Sequence, residues 1–360
     1  MSFYNKKLRY GIIGTGMMGR EHIRNLLEIE NCEIVALSDS YGPSLASASE
    51  LVKDAQQFSH HREMLTTQDL DVVVIATPNH THLNILIDVL ETGLHVLVEK
   101  PLCTTVSDCQ LAIDRENQTH RDGRVVWVGL EYRYMAPTRR LLSEVASGKC
   151  GQVRMVAIRE HRFPFLDKVE NWNRFTAKTG GTLVEKCCHF FDVMGLIAQS
   201  QAVRVYASGG QDVNHLDEFY DGIKSDILDN AFVVIDYQNG ARGMLDLSMF
   251  AEGSKNEQEI SVVGDLAKIE ALITESKVRI GLRTKGSNGV EEIRVEQSPG
   301  VVAGFHGGAS YLEHLAMQNA IRNGLQPEVT MRDGLNSVLI GQAAQLSIAE
   351  SRAVEISELI

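Results

Sequence analysis

The sequence predicts an α/β chain in two parts: a doubly wound parallel sheet over residues 1–130, then a domain built on a large, mostly antiparallel open β-sheet over 131–360. Three observations predict it. Short apolar runs alternate with helical stretches as far as Gly129, the pace of a parallel sheet with crossover helices. The first run opens into Gly14-Thr15-Gly16-Met17-Met18-Gly19 and then a helix. Beyond Gly129 the runs alternate apolar with polar residues, as a sheet with one covered face requires.

At 360 residues the chain has room for two domains. A net charge of −12 argues against nucleic acid as a partner, since phosphate binding needs a basic surface. No apolar run approaches the ~18 residues of a membrane span, so no membrane partner is expected. Met1 to Arg9 is polar and basic and runs straight into a strand without a signal-peptide core, so the expected compartment is the cytoplasm. Six cysteines, none in a Cys-x-x-Cys pair, read as buried reduced thiols, with no metal expected.

Leu8 to Gly14 is the first strand. Gly14 permits the tight turn, Gly16 lets the backbone approach a pyrophosphate, and Gly19 lets helix and strand pack closely. The helix beginning there offers N–H donors and a partial positive charge. A second strand, Glu33 to Leu37, ends at Asp39, where a carboxylate can hold both ribose hydroxyls and would repel a 2′-phosphate. The expected cofactor is therefore NAD, with NADP left open by Ser40. A small-residue helix follows from Gly42 to Val52, then a short strand at 57–59 and His60-His61 in a surface loop. The buried strand Asp71 to Ala76 ends in Thr77-Pro78-Asn79-His80-Thr81-His82, and Gly93 closes the next helix. His95 to Val98 is another buried strand, and it delivers Glu99-Lys100-Pro101 to the carboxyl edge, where doubly wound sheets bind ligands. A helix near 106–118 and the strand Val125 to Gly129 complete this part. Three strand ends thus face one crevice. The cofactor contacts expected there are Gly14 to Gly19, Asp39, Ser40, Thr77, Pro78, Asn79, His82, Glu99 and Lys100. A Glu-Lys pair at that edge cannot be core filler, and reads either as catalytic machinery or as a partly exposed ion pair.

Past residue 130 come a helix at Pro137 to Ser147 and strands from Val153–His161 to Glu292–Val295. Two helices, roughly 310–323 and 331–352, close the chain. The sheet leaves one broad face for a partner subunit, which points to a homodimer or homotetramer. Within this part, Gly180-Gly181 precedes a helix expected from about Leu183 to Ala198. Glu185, His189 and Asp192 fall on one stripe of it. An imidazole with a carboxylate one turn away is a sensible general base; the plainer reading is a helix-surface pair. Chelation by Cys187, Cys188, His189 and Glu185 is disfavoured because adjacent helical residues point about 100° apart, so the two thiols do not chelate readily with that histidine.

The order GTGMMG, Asp39, TPNHTH, Glu99-Lys100-Pro101, Gly-Gly and a helical acid-x-x-x-His-x-x-Asp resembles the glucose–fructose oxidoreductase/inositol dehydrogenase (Gfo/Idh/MocA) family over nearly the whole chain. The resemblance implies an N-terminal Rossmann domain, a C-terminal open sheet and NAD(P)-dependent hydride transfer on a sugar, inositol or related polyol. It also implies that Lys100 orients the substrate and His189 transfers the proton. Glu185 stands where the family carries aspartate. Inositol dehydrogenases present an apolar residue followed by arginine after the last Rossmann strand, whereas Glu131-Tyr132-Arg133 stands here, so a different substrate reading is expected. Tyr132, Arg133, His161, Arg162, Trp172, Arg174 and His306 are the further substrate candidates, each with a structural role as the alternative. Two other functions fit the same resemblance: a non-catalytic NAD(P)-binding regulator, and an enzyme using bound NAD for redox-neutral elimination or glycoside cleavage.

Overall fold

Six short strands build the first sheet: β1 (Leu8–Ile13), β2 (Cys32–Ser38), β3 (Gln56–Phe58), β4 (Val72–Ile75), β5 (His95–Glu99) and β6 (Val126–Gly129). They come from a computed structural model that describes residues 6–297 and 304–360. All neighbours pair in parallel, in the order β3-β2-β1-β4-β5-β6. Valine and isoleucine fill β4 and β6 is apolar but for its closing glycine; both are buried throughout, because helices cover both faces of such a sheet. Those helices are α1 (Met17–Leu27), α2 (Gly42–Ser49), α3 (His61–Thr67), α4 (His82–Thr92) and α5 (Val106–Gln118). At His60-His61, where the sequence suggests a loop, His60 instead caps α3 by accepting the Arg62 N–H. Gly93 closes α4 in the left-handed conformation, as expected.

The second sheet has nine strands: β7 (Val153–His161), β8 (Ala202–Gly210), β11 (Asn230–Tyr237), β12 (Arg242–Ser248), β13 (Gln258–Gly264), β14 (Ala267–Leu272), β15 (Lys277–Leu282), β16 (Val290–Arg294) and β17 (Val354–Glu355); a separate hairpin, β9 (Phe219–Tyr220) with β10 (Ile223–Lys224), sits in the connection after β8. The order is β16-β15-β14-β13-β7-β12-β11-β8-β17, antiparallel except for the parallel pair β7–β12. Burial alternates along the central strands. One face buries Ile158, Val205, Val233, Ile235, Leu245 and Val262. On the other, Tyr206, Val234 and Met244 stand in register across β8, β11 and β12, and all three are exposed.

The helices of this part are α6 (Ala136–Ala146), α7 (Thr176–Thr179), α8 (Thr182–Glu185) and α9 (Cys188–Ala198). The single helix expected over 183–198 is therefore two, broken at Lys186-Cys187, where Cys187 adopts φ −90°, ψ −5°. Every residue from 181 to 194 is buried, so apolar periodicity carried no signal of the break. Two more helices follow, α10 (Ala309–Asn323) and α11 (Met331–Glu350).

The chain forms two compact units, and they are not contiguous in sequence: of the described residues, 304–335 and 168–170 cluster with 6–131. Polar ties explain the first of these returns. Trp127 donates its indole N–H to Glu313 on α10 (3.0 Å), and the Val128 N–H reaches the Val329 carbonyl (3.3 Å). Among the described residues no helix is long and apolar enough to cross a membrane.

Candidate functional site

In the first unit the carboxyl ends of β1, β4 and β5 lie side by side, beside the point where the strand order reverses, which is where such sheets bind ligands. The loop after β1 is shaped by missing Cβ atoms. Gly14 has φ +86°, and a Cβ there would fall 2.6 Å from the Ala76 carbonyl; one on Gly19 would fall 2.0 Å from the Gly14 oxygen. At Gly16 the space a Cβ would take is open, with no atom within 4 Å. Gly16, Met17 and Met18 are partly exposed there, whereas Thr15 is buried. Asp39, at the end of β2, accepts the Thr15 N–H (2.7 Å) and hydroxyl (3.0 Å) on one oxygen and the Tyr41 N–H (2.8 Å) on the other. Ser40 beside it is exposed. A glycine turn opening into a helix N-terminus, with a carboxylate fixed at the next strand end, fits a dinucleotide with free ribose hydroxyls.

The loops after β4 and β5 are stapled together from beneath. His82, with no exposed surface, places Nδ1 2.8 Å from the Pro101 carbonyl and Nε2 3.0 Å from that of Thr77. Burial pushes its pKa down, and the two carbonyls pull the other way. The structure thus gives this ring a bracing position, while Thr77 and Pro78 stay partly exposed and Asn79 is buried.

Glu99 is the second brace. Its Oε2 accepts the Lys100 N–H (3.1 Å) and its Oε1 lies 2.8 Å from His22 Nε2. Behind it, His22 Nδ1 meets His314 Nε2 at 2.9 Å; burial, then the neighbouring His22, hold His314 well below its ordinary pKa. Both Glu99 oxygens are therefore occupied by groups other than the Lys100 ammonium. Lys100 itself is half-buried. The carboxylate that senses its charge is Glu131, just after β6, whose Oε1 lies 3.0 Å from His306 Nδ1. Burial pushes the Glu131 carboxyl up, but His306 and then Lys100 bring it below its usual value.

In the second unit His189 opens α9 and is almost wholly buried. The Tyr132 ring lies flat on its imidazole, centroids 4.0 Å apart and planes 6° apart. Three residues on from His189, Asp192 grips Arg133 through both carboxylate oxygens (2.6 and 2.5 Å). Glu185 ends α8, so a helix break separates it from His189. Lys186 sits at that break, 2.8 Å from the Tyr132 hydroxyl and 2.9 Å from Glu160 Oε1 on β7. Other substrate candidates are engaged locally. His161 lies 2.9 Å from Asp246. Arg162 stacks its guanidinium on Phe163. Arg174, fully buried, joins Glu218 and Asp167 (both 2.9 Å) in holding its own loop together, and Trp172 is partly exposed. Sequence reasoning missed Lys186, His22 and His314; the one available signal was a lysine that, with Glu185, interrupts an otherwise uncharged run from Gly180 to Phe191.

Known proteins match this arrangement end to end. Two Gfo/Idh/MocA family models fit in order: the oxidoreductase NAD-binding Rossmann fold over residues 8–130 and the oxidoreductase C-terminal alpha/beta domain over 143–356. A myo-inositol 2-dehydrogenase from Thermotoga maritima is 26% identical over 363 residues, 98% of this chain and 100% of its own. An uncharacterised oxidoreductase, YrbE from Bacillus subtilis, is 25% identical, covering 98% and 97%. Among solved structures, levoglucosan dehydrogenase with NADH and levoglucosan superposes with a TM-score of 0.86 over 98% of this chain and 100% of its own; at 20% identity that is a likeness of fold.

Proposed function

The chain belongs to the Gfo/Idh/MocA oxidoreductase family, and we propose that it moves hydride between NAD and a hydroxyl-bearing carbon of a sugar, inositol or related polyol. The observation that carries this reading is that the glycine turn, Thr77–Pro78 and Lys100 follow three adjacent parallel strands, at one edge of one sheet. Bound nicotinamide supplies the hydride acceptor. The chain's own groups do the rest. His189 takes the hydroxyl proton as the carbon gives up hydride, so the carbinol becomes a carbonyl by loss of two electrons and two hydrogens. The Lys100 ammonium orients the substrate and stabilises the negative charge that gathers on the reacting oxygen, a contribution worth several kcal/mol in a water-poor site. Glu131 steadies that ammonium, while Glu99 fixes the main chain at Lys100. Arg133, clamped by Asp192, faces substrate as a positive charge fixed in place, and Asp39 selects NAD over NADP.

The same reading places the protein in the cytoplasm, consistent with six unpaired cysteines, as an assembly of identical subunits joined through the exposed row Tyr206, Val234 and Met244. To test it, purified protein is screened with myo-inositol, levoglucosan and their keto forms, with NAD and NADP, following NADH. Lys100→Ala is expected to lower kcat on the best substrate about 10²- to 10³-fold while NAD binding stays within about twofold. Near-normal turnover by Lys100→Ala would remove it from the mechanism, and product without net NADH would favour the redox-neutral alternative.

A further inference from the structure

We propose that Lys186 and Tyr132 are positioning residues for His189: Lys186, anchored on the large sheet, holds the Tyr132 phenol, and the phenol ring fixes the plane of the imidazole. This rests on His189 being the proton-transfer group. Each link is short and buried. Lys186, 4% exposed, lies 2.9 Å from Glu160 Oε1; the other Glu160 oxygen accepts from the Gln258 amide on β13 (2.9 Å). The same ammonium donates to the Tyr132 hydroxyl (2.8 Å) and sits over the Tyr132 and Phe190 rings, 5.2 and 5.5 Å from their centroids. Tyr132 then stacks on His189, with Phe190 tilted against its other flank (5.6 Å, 60°).

A lysine buried this deeply is costly unless paired and fully bonded, and a structural role alone would be met more cheaply by an apolar side chain. What the ion pair adds is direction. A flat stack has no strong preferred rotation or slip, so two rings 4.0 Å apart hold one mutual placement only if something grips the phenol at its far end. Glu160 and Gln258 face each other on paired strands, so the grip is tied to the hydrogen-bonded ladder of the sheet. A proton acceptor displaced by a fraction of an ångström loses rate far more than affinity, because binding is spread over many contacts while the transfer depends on one.

The experiment compares Tyr132→Phe, Lys186→Met and the double variant with His189→Gln, on the best polyol of the screen, with NAD. Tyr132→Phe keeps the ring and removes only the gripped hydroxyl; its kcat is expected to fall about tenfold with KM moving less than about twofold. Lys186→Met is expected to fall at least as far, and the double variant no further than the worse single one, since both cut one chain. A substrate-free readout uses ring-13C histidine: the His189 signal, assigned by its loss in His189→Gln, is expected upfield under the Tyr132 ring and shifted in Lys186→Met. Wild-type kcat in Tyr132→Phe, additive losses, or an unmoved His189 signal would overturn the proposal. A fully active His189→Gln would instead overturn the assignment of His189 itself. If Lys186→Met does not fold, Tyr132→Phe decides alone.

Discussion

The two units hold their reactive groups by different means. In the first, the main chain does the work: a turn that excludes a Cβ, three strand ends on one edge, and carboxylate and imidazole groups that grip backbone atoms at Lys100, Thr77 and Pro101. In the second, His189 is placed by side chains gripping side chains, Glu160 to Lys186 to Tyr132. The difference sets how each should fail. A backbone-built site tolerates no added atom at its tight points, whereas a side-chain relay loses function by degrees. Gly14→Ala tests the first statement. Its Cβ would lie 2.6 Å from the Ala76 backbone at φ +86°, so we expect a loss of about 3 kcal/mol or more in stability and NAD affinity weakened at least ~100-fold. Gly16→Ala meets no protein atom within 4 Å, so unfolding should be unchanged and only NAD titration should suffer. Equal stability losses in the two variants would break the distinction.

That contrast also explains which parts were legible in the sequence. Glycine turns and strand ends are local signals, so GTGMMG at 14–19, Asp39 and Glu99-Lys100-Pro101 could each be read from a few consecutive residues. The braces were not legible, because His22 and Glu99 are 77 residues apart and His22 and His314 are 292 apart. Glu99 reads naturally as the partner of Lys100, its neighbour; only folding shows both oxygens turned to His22 and the main chain. In the second unit His189 stood out by type and spacing, but Lys186 did not. A charge next to a helix break inside a wholly buried segment leaves no periodic trace.

The opposite face of the second sheet supplies the next test, since it too is built of side chains. Val234 lies between Tyr206 and Met244 in register, at the centre of the exposed apolar row. Val234→Glu should weaken self-association by about 2 kcal/mol or more, roughly thirtyfold, read as a shift toward monomer in sedimentation with unchanged circular dichroism. An unaltered assembly would move the interface elsewhere. A smaller effect is expected where a side chain of the first unit serves the backbone. Asp39→Ser removes an acceptor of the Thr15 N–H, and NAD affinity should fall about tenfold while NADP affinity holds or rises. An unchanged ratio of the two would show that the turn alone selects the cofactor.

The gentlest test asks whether the second unit also contains a backbone-built element. Buried Asp229 accepts the Val213 and Asn214 N–H groups on one oxygen (2.8 and 2.7 Å) and the Asn230 amide on the other (2.9 Å), with the Asp212 N–H shared between them. Burial pushes its pKa up, but the N–H groups of Asn214, Val213 and Asp212 outweigh it and leave the carboxyl below its ordinary value. Because the folded pKa is depressed, this stabilisation is present above the unfolded value near ~3.9 and is lost as the pH falls through the folded one. Asp229→Asn turns one acceptor into a donor facing other donors, so it should cost about 1–2 kcal/mol at neutral pH, measured by urea unfolding. The gap from wild type should narrow in acid, where the native carboxyl is protonated as well. A gap independent of pH would mean that shape rather than charge holds the 212–214 turn, and the sharp division between the two units would stand.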